Sequence, residues 1–384
     1  MKTFAAFLIA LHAAIHALGF VKGVSPEILP DLPLTMGKVA ALIWLGTALC
    51  LIAASLLFYF NYPGWYFWML AGGILSTGLV LSAWSEAKYG MLVNLLVLAI
   101  ALAGFTTARF EGKFLHQAAS QKLAQPDAGS DLLTEKDIAP LPPLVQSYLR
   151  YVGVLGKPKV YSAYIVFEGK MRAKGKDYFP FISKQYNFLQ HPTRLFFMYG
   201  KLFGIQVPGY HAYAGQQASM DIRVGGILSV VKHTNLFQAE TVTFFNDMCF
   251  LAPAMLTDRR ITWKTLDEHS VEGTFHNQGT AVTAILYFDP IGRLTNFVSF
   301  DRTAVDVMQQ LPWSTPILSY QTLNGLQLPE TAEMIWHYPD GDFSYGTLHL
   351  KEVQYNIAPK LPDTHTASLL SKKQTGIGMA KMKQ

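Results

Sequence analysis

Charge is scarce in this 384-residue sequence: Asp, Glu, Lys and Arg make up 15% of it, where ordinary soluble domains carry about 25%. A chain wholly exposed to water is therefore excluded, and at 51% apolar residues so is intrinsic disorder. Cysteine is scarcer still. The two present, Cys50 and Cys249, exclude a disulfide scaffold and leave no C-x-x-C pair for metal or redox chemistry. Also missing are H-E-x-x-H, G-x-S-x-G, a Walker A loop and the Rossmann glycine fingerprint. His211, His233, His269, His276, His337 and His349 show no metal-ligand spacing. No metal and no cofactor is implied, no catalytic motif is recognised, and the balance leans away from an enzyme. The net charge of +5 is too small and scattered to imply a nucleic-acid partner.

What charge there is falls unevenly. Lys2, Lys22, Glu27, Asp31, Lys38, Glu86 and Lys88 are the only charged residues before Arg109, and the other fifty lie from Arg109 onward. The charge-poor part holds four apolar runs: Phe4 to Val21, Val39 to Phe60, Trp65 to Trp84 and Met91 to Ala108. Each has roughly the 17–25 residues that a membrane-crossing helix needs, and backbone in lipid must satisfy itself as helix. Asn61-Tyr62-Pro63-Gly64 turns between the second and third runs, and Ser85–Gly90 joins the third to the fourth. Aromatics such as Tyr59, Tyr62, Trp65, Trp84 and Tyr89 gather at the ends, as at a membrane interface. The first run is read as an uncleaved anchor rather than a signal peptide, because no A-x-A site follows it and Lys22 comes directly after Val21. Four spans put both ends on one side. The short-segment basic residues there are Lys2, Arg109, Lys113 and Lys122, against Lys22, Lys38 and Lys88 opposite, a count that leans cytoplasmic.

After Arg109 the chain turns polar, and residues 111–140 read as a linker with room for one helix. Leu141-Pro142-Pro143 opens a helix whose apolar face is Leu144, Val145, Tyr148, Leu149 and Val152. From Val160 the pattern has period two, with hairpins at Asp267–Ser270, at Asp289-Pro290-Ile291-Gly292 and at Pro339-Asp340-Gly341. One helix, Leu236 to Leu251, interrupts the strands. The expected organisation is a four-helix transmembrane region (1–110), the linker, an α+β domain built on a curved antiparallel sheet (141–358), and a basic, disordered tail (359–384).

Several residues are candidates for a site. His12 and His16 leave one face of the first span, and an ionisable pair inside a membrane is a functional candidate by default. The structural alternative is hydrogen bonding to Ser76, Thr77 or Asn94. Glu86 and Lys88 are either an ion-pair latch with Asn94 or loop charges in headgroup water. In the inserted helix, Glu240 and Asp247 share a face, with Asp258, Arg259, Arg260, Asp301 and Arg302 as polar candidates from other elements. With Arg302 as an anion clamp, the two carboxylates are candidates for acid and base in a hydrolase-like site; the alternative is a buried acid–arginine network that fixes helix to sheet. Aromatics on strands (Tyr164, Phe167, Phe196, Phe197, Trp263, Tyr287, Trp336, Tyr345) either line a groove or fill a core.

Several of these segments carry a resemblance. His12-Ala-Ala-Ile-His16-Ala-Leu-Gly19-Phe20, Ser82-Ala-Trp84-Ser-Glu86-Ala-Lys88-Tyr-Gly90 and Asn94 mark the membrane half. In the second half it rests on Pro143-Leu-Val145-Gln-Ser-Tyr148-Leu149-Arg150, and on Glu240-Thr241-Val242-Thr243-Phe244-Phe245-Asn246-Asp247-Met248-Cys249 with Leu251-Ala252-Pro253. Asp301-Arg302, Pro312-Trp313-Ser314-Thr315-Pro316 and Phe343-Ser-Tyr345-Gly346 complete it. With these the chain resembles an uncharacterised bacterial family of domain-of-unknown-function membrane proteins, departing from it at Phe300, where an acid is expected. The second half also looks like the half-barrel of lipoprotein-carrier proteins, a curved sheet wrapped over helices. That resemblance implies a concave apolar groove with membrane lipid or another apolar ligand as partner, and Trp263, Tyr287, Trp336, Tyr345 and Asn246 are its candidate contacts. The expected setting is a bacterial inner membrane. A scaffold with no small ligand is the remaining alternative.

Overall fold

The computed structural model describes residues 2–123, 131–202 and 205–359. The expected tail beyond 359 and the middle of the expected linker lie outside them. The chain divides into two compact units at Gly112/Lys113, with Gly225–Ile227 grouped with the first.

In the first unit α1 (Lys2–Val24), α2 (Lys38–Tyr59), α3 (Trp65–Ser82) and α5 (Gly90–Leu123) are long and apolar enough to cross a membrane; a single turn, α4 (Trp84–Ala87), lies before α5. The four apolar runs therefore form four helices. Most large side chains point outward, including Phe4, Leu42, Ile74 and Leu92, which suits a lipid environment rather than water. Small residues such as Ala13, Ala54, Gly72 and Gly73 share the interior with Ile9, Leu51 and Met69, and small residues let helices approach closely in lipid. A Cβ placed on Gly19 would lie 2.3 Å from the Trp44 ring, so α1 and α2 meet closely only because Gly19 has no side chain.

The fourth helix runs past its apolar stretch to Leu123, so the start of the expected linker is the helix it had room for. Phe114, Leu115 and Ala118 are buried there. From Lys113 on, the helix belongs to the second unit; within that unit Phe114 packs 5.7–5.8 Å, ring to ring, from Tyr186, Phe197 and Tyr210, and the Tyr210 hydroxyl donates to Gln117 Oε1 at 2.7 Å.

The second unit is one large antiparallel sheet wrapped around a helix. Its strands are β1 (Ser162–Met171), β2 (Phe179–Phe188), β3 (Thr193–Leu202), β4 (Ile205–Ala214), β5 (Gln217–Val224), β6 (Leu228–His233), β7 (Ile261–Thr265), β8 (Ser270–Asn277), β9 (Thr280–Phe288) and β10 (Leu294–Ser299). The short β11 (Thr303–Ala304) and β12 (Gln309–Gln310) pair separately, and β13 (Trp313–Ser314), β14 (Ile317–Leu323), β15 (Leu326–Tyr338) and β16 (Gly341–Tyr355) rejoin the sheet. The order is β6-β5-β4-β3-β2-β1-β16-β15-β13-β10-β9-β8-β7, with β14 on β15. The expected hairpins are all present, with Ile261 opposite Phe275, Leu294 opposite Phe288 and Tyr338 opposite Gly341. Register breaks at Val166/Phe167 and Met334/Ile335 put bulges in the central strands, and bulges bend a sheet and increase its twist.

Two helices, α6 (Glu135–Ile138) and α7 (Pro143–Val152), precede the sheet. The face of α7 that packs inward is Val145, Tyr148, Leu149 and Val152. The inserted helix α8 (Phe237–Leu251) is buried on every side from Ala239 onward, because the curved sheet surrounds it. A helix end buried in this way needs partners for its last carbonyls. Tyr148 Oη donates to the Cys249 carbonyl at 2.8 Å and Tyr355 Oη to that of Leu251.

Candidate functional site

Between α8 and the concave face of the sheet lies a cavity of about 150 Å³. Its helix wall is Glu240, Thr243, Asn246, Asp247, Phe250 and Leu251, the residues that a 3.6-residue repeat places on one side. Val242, Phe245 and Met248, also buried, belong to the hydrophobic core. The sheet wall is built by period two. On β15 the buried alternate residues are Leu328, Ala332, Met334 and Trp336, and Ala332 and Met334 reach the cavity. Phe167, Phe181, Leu348 and Leu350 add an apolar surface from the central strands.

The other wall is ionic. Across β2, β3 and β4, Asn187, Arg194 and Tyr213 stand opposite one another, as do Gln185, Phe196 and His211, so their side chains share the concave face. Arg194 Nε donates to Asp247 Oδ2 at 2.8 Å, its Nη1 to Glu240 Oε2 at 3.1 Å and its Nη2 to Gln185 Oε1 at 3.1 Å. Asp247 Oδ2 also accepts from Gln185 Nε2 at 2.7 Å and Asn187 Nδ2 at 3.1 Å. His211 Nδ1 stands 3.7 Å from Glu240 Oε1. Burial acts to raise the Glu240 carboxyl pKa, but the His211 side chain and the charges of Arg194 and Arg302 prevail and hold it at about 2. Burial pushes Asp247 above the ordinary carboxylate value, against the pull of Arg194, Asn187 and Gln185.

Arg302 completes the rim. Its Nε donates to Thr243 Oγ1 at 3.3 Å, and its guanidinium carbon lies 4.3 Å from the Trp313 ring centroid and 4.8 Å from that of Trp336. Asn246 Nδ2 donates to Thr315 Oγ1 at 2.7 Å, and both line the cavity.

Glu240, Asp247 and Arg302 thus meet at one cavity, as do Asn246 and Tyr345. Trp336 stands behind them, stacked on Tyr345 with ring centroids 6.3 Å apart. Trp263 and Tyr287 do not line it: Trp263 packs on Phe245 from strand β7, and Tyr287 is exposed on β9. Of the other polar candidates, Asp258 pairs with Arg260 at 2.5 Å, Arg259 is exposed, and Asp301 accepts from the Thr283 backbone N–H. Phe300 is exposed too. Arg194 and His211, central to the site, carried no sequence motif; their only signal was a polar residue at alternate positions within otherwise apolar strands.

In the first unit, His12 Nε2 lies 2.9 Å from Asn94 Oδ1 and 3.0 Å from Ser76 Oγ; His16 Nε2 lies 2.7 Å from that same Ser76 oxygen, which donates to Asn94 Oδ1 at 2.7 Å. Thr77 bonds instead to its own helix, at the Gly73 carbonyl. Glu86 and Lys88 are exposed, with Lys88 over the Tyr89 ring, and they form no latch with the buried Asn94. Among the described residues no group of three or more His, Cys, Asp or Glu is placed to hold a metal.

Residues 131–348, more than half of the chain, match the model of a family of unknown function, DUF6544. The chain belongs to that family. The DUF6544 region takes in all of α8 and both arginines of the cavity. No curated protein matches the chain. Among solved structures it is similar to a domain assigned to outer-membrane lipoprotein sorting from Vibrio parahaemolyticus (8% identity, TM-score 0.32) and to a LolA superfamily protein from Nitrosomonas europaea (8% identity, TM-score 0.33); each alignment covers 55% of this chain and 91% of the other.

Proposed function

We propose that the DUF6544 domain binds a lipid or another apolar ligand in the cavity beside α8, and that the four N-terminal helices hold it at a membrane. The observation that carries this reading is the cavity itself, about 150 Å³ with an apolar wall facing a single polar cluster. A volume of this order takes up a benzene-sized group, so it suits one end of a larger amphiphile. Ligand sites are characteristically concave and apolar, with a few placed polar groups.

Acid–base chemistry is less well supported. Both carboxylates are committed to Arg194, and Glu240, held at about 2, has no proton to donate near neutral pH. Asp247 is shifted in the direction a general acid needs, but its Oδ2 already accepts from Arg194, Gln185 and Asn187.

The test is mass spectrometry of the organic extract of the purified full chain. The reading expects one class of apolar molecule enriched over the surrounding membrane; an extract matching bulk lipid contradicts it. The bacterial inner membrane is part of the proposal, as is the cytoplasmic side for the domain, which the basic-residue count supports and protease protection in oriented vesicles checks.

A further inference from the structure

We propose that the cavity selects an amphiphile with one negative charge on its head, an alkyl carboxylate, and that Arg302 receives that head. The inference rests on the ligand-binding reading above and names its ligand class.

Two guanidinium groups face the cavity, and they differ in how fully they are used. Arg194 is buried, with nitrogens bonded to Asp247, Glu240 and Gln185. Arg302 is half-buried, and among the described residues its side chain bonds only through Nε, to the Thr243 hydroxyl. Among the described residues its two terminal nitrogens have no hydrogen-bond partner and it makes no ion pair. Glu240 feels its charge, yet no contact joins them. The Trp313 and Trp336 rings orient the guanidinium without neutralising it. What remains is a planar pair of donors at the rim of an apolar cavity, and a carboxylate fits such a fork with two parallel hydrogen bonds.

The lining limits the head group. Glu240 and Asp247 share Arg194, and Glu330 also lines the cavity, so the polar wall without Arg302 carries a negative excess. A cationic head would meet Arg302 and find Glu240 and Asp247 engaged. A doubly charged phosphate would bring a second negative charge toward three carboxylates, whereas a carboxylate brings one and pairs it with the two unpartnered nitrogens of Arg302. Phe167, Phe181, Leu348 and Leu350 offer the alkyl chain its surface.

The test uses the full chain in phosphatidylcholine vesicles with three probes: dodecanoic acid carrying a terminal diazirine, and the alcohol and trimethylammonium compounds of the same chain. After irradiation, adducts are mapped by mass spectrometry to α8, β15 and β16. The acid should label the cavity about tenfold more than the alcohol, the scale of one charged hydrogen-bonded contact. Excess unlabelled dodecanoate should remove that labelling, Arg302→Gln should bring the acid down to the alcohol's level, and Arg302→Lys should retain part of the preference. Equal labelling by acid and alcohol, or preference for the cation, overturns the head-group assignment and leaves the apolar-ligand reading standing. Absence of cavity adducts from every probe overturns both. The acid-to-alcohol ratio in the unaltered protein decides the matter even if a variant fails to fold.

Discussion

Arg194 on β3 and Asp247 on α8 are joined by a 2.8 Å ion pair that is almost entirely out of water. The pair ties the helix to the sheet and closes one wall of the cavity; Glu240, two turns away on the same face of the helix, shares the same guanidinium at 3.1 Å.

Removing the arginine leaves two buried carboxylates without a counter-charge. Arg194→Met should cost about 3–5 kcal/mol, the usual penalty for breaking a buried pair from one side. Arg194→Lys should recover only part of it, since a single ammonium cannot serve Asp247, Glu240 and Gln185 together. Denaturant titration of the full chain in detergent measures both; a loss below about 1 kcal/mol would show that the network is solvated.

The same network sets a pH dependence. Glu240 has a folded pKa of about 2, below its ordinary 4.5, so its stabilisation is complete above about pH 4.5 and is lost as pH falls toward 2. Asp247, shifted the other way, costs stability when ionised and is relieved on acidification, which offsets part of that loss. Glu240→Gln should therefore flatten the acid limb of the stability curve. An unchanged limb would mean that other carboxylates govern it.

The tyrosine hydroxyls at the end of α8 make a separate prediction. Tyr148→Phe removes the donor to the buried Cys249 carbonyl and should cost about 1–3 kcal/mol, the desolvation penalty of an unpaired polar group. Tyr151→Phe, on the same helix but partly buried, serves as the control in the same thermal melts.

In the membrane unit Ser76 is the hub, contacting both histidines and Asn94. Ser76→Ala should weaken the bundle by only about 0.5–2 kcal/mol, because hydrogen bonds between helices in lipid are modest. Gly19→Val should cost more, because any Cβ there collides with the Trp44 ring. Unfolding in a detergent series that reverses this order would overturn the view that close packing, more than polar bonding, holds the helices together.

The four spans, the hairpins and the inserted helix were legible in the sequence because each depends on local periodicity. Glu240 and Asp247 were legible as a pair for the same reason, being two turns apart on one helix. Their partner was not: Arg194 follows Thr193 beside a turn and reads as the polar start of an apolar strand. Only the sheet order brings it to residues 46 and 53 positions onward. His211 was hidden in the same way. Trp263 and Tyr287 misled because alternation shows that a strand has two faces without saying which one meets the cavity. The helix past Arg109 had a local signal, Phe114 and Ala118 four apart, masked by the polar residues around it.

An apolar ligand in the cavity should be lost when the cavity is filled. Ala332 and Leu348 sit opposite one another in its sheet wall, so Ala332→Phe and Leu348→Trp should each fill it. The decisive measurement compares the lipid extract of the unaltered full chain with those of the two filled variants, each first shown to melt as a folded protein. The enriched species should fall several-fold in both variants while bulk membrane lipid is unchanged. Equal enrichment in all three would contradict it.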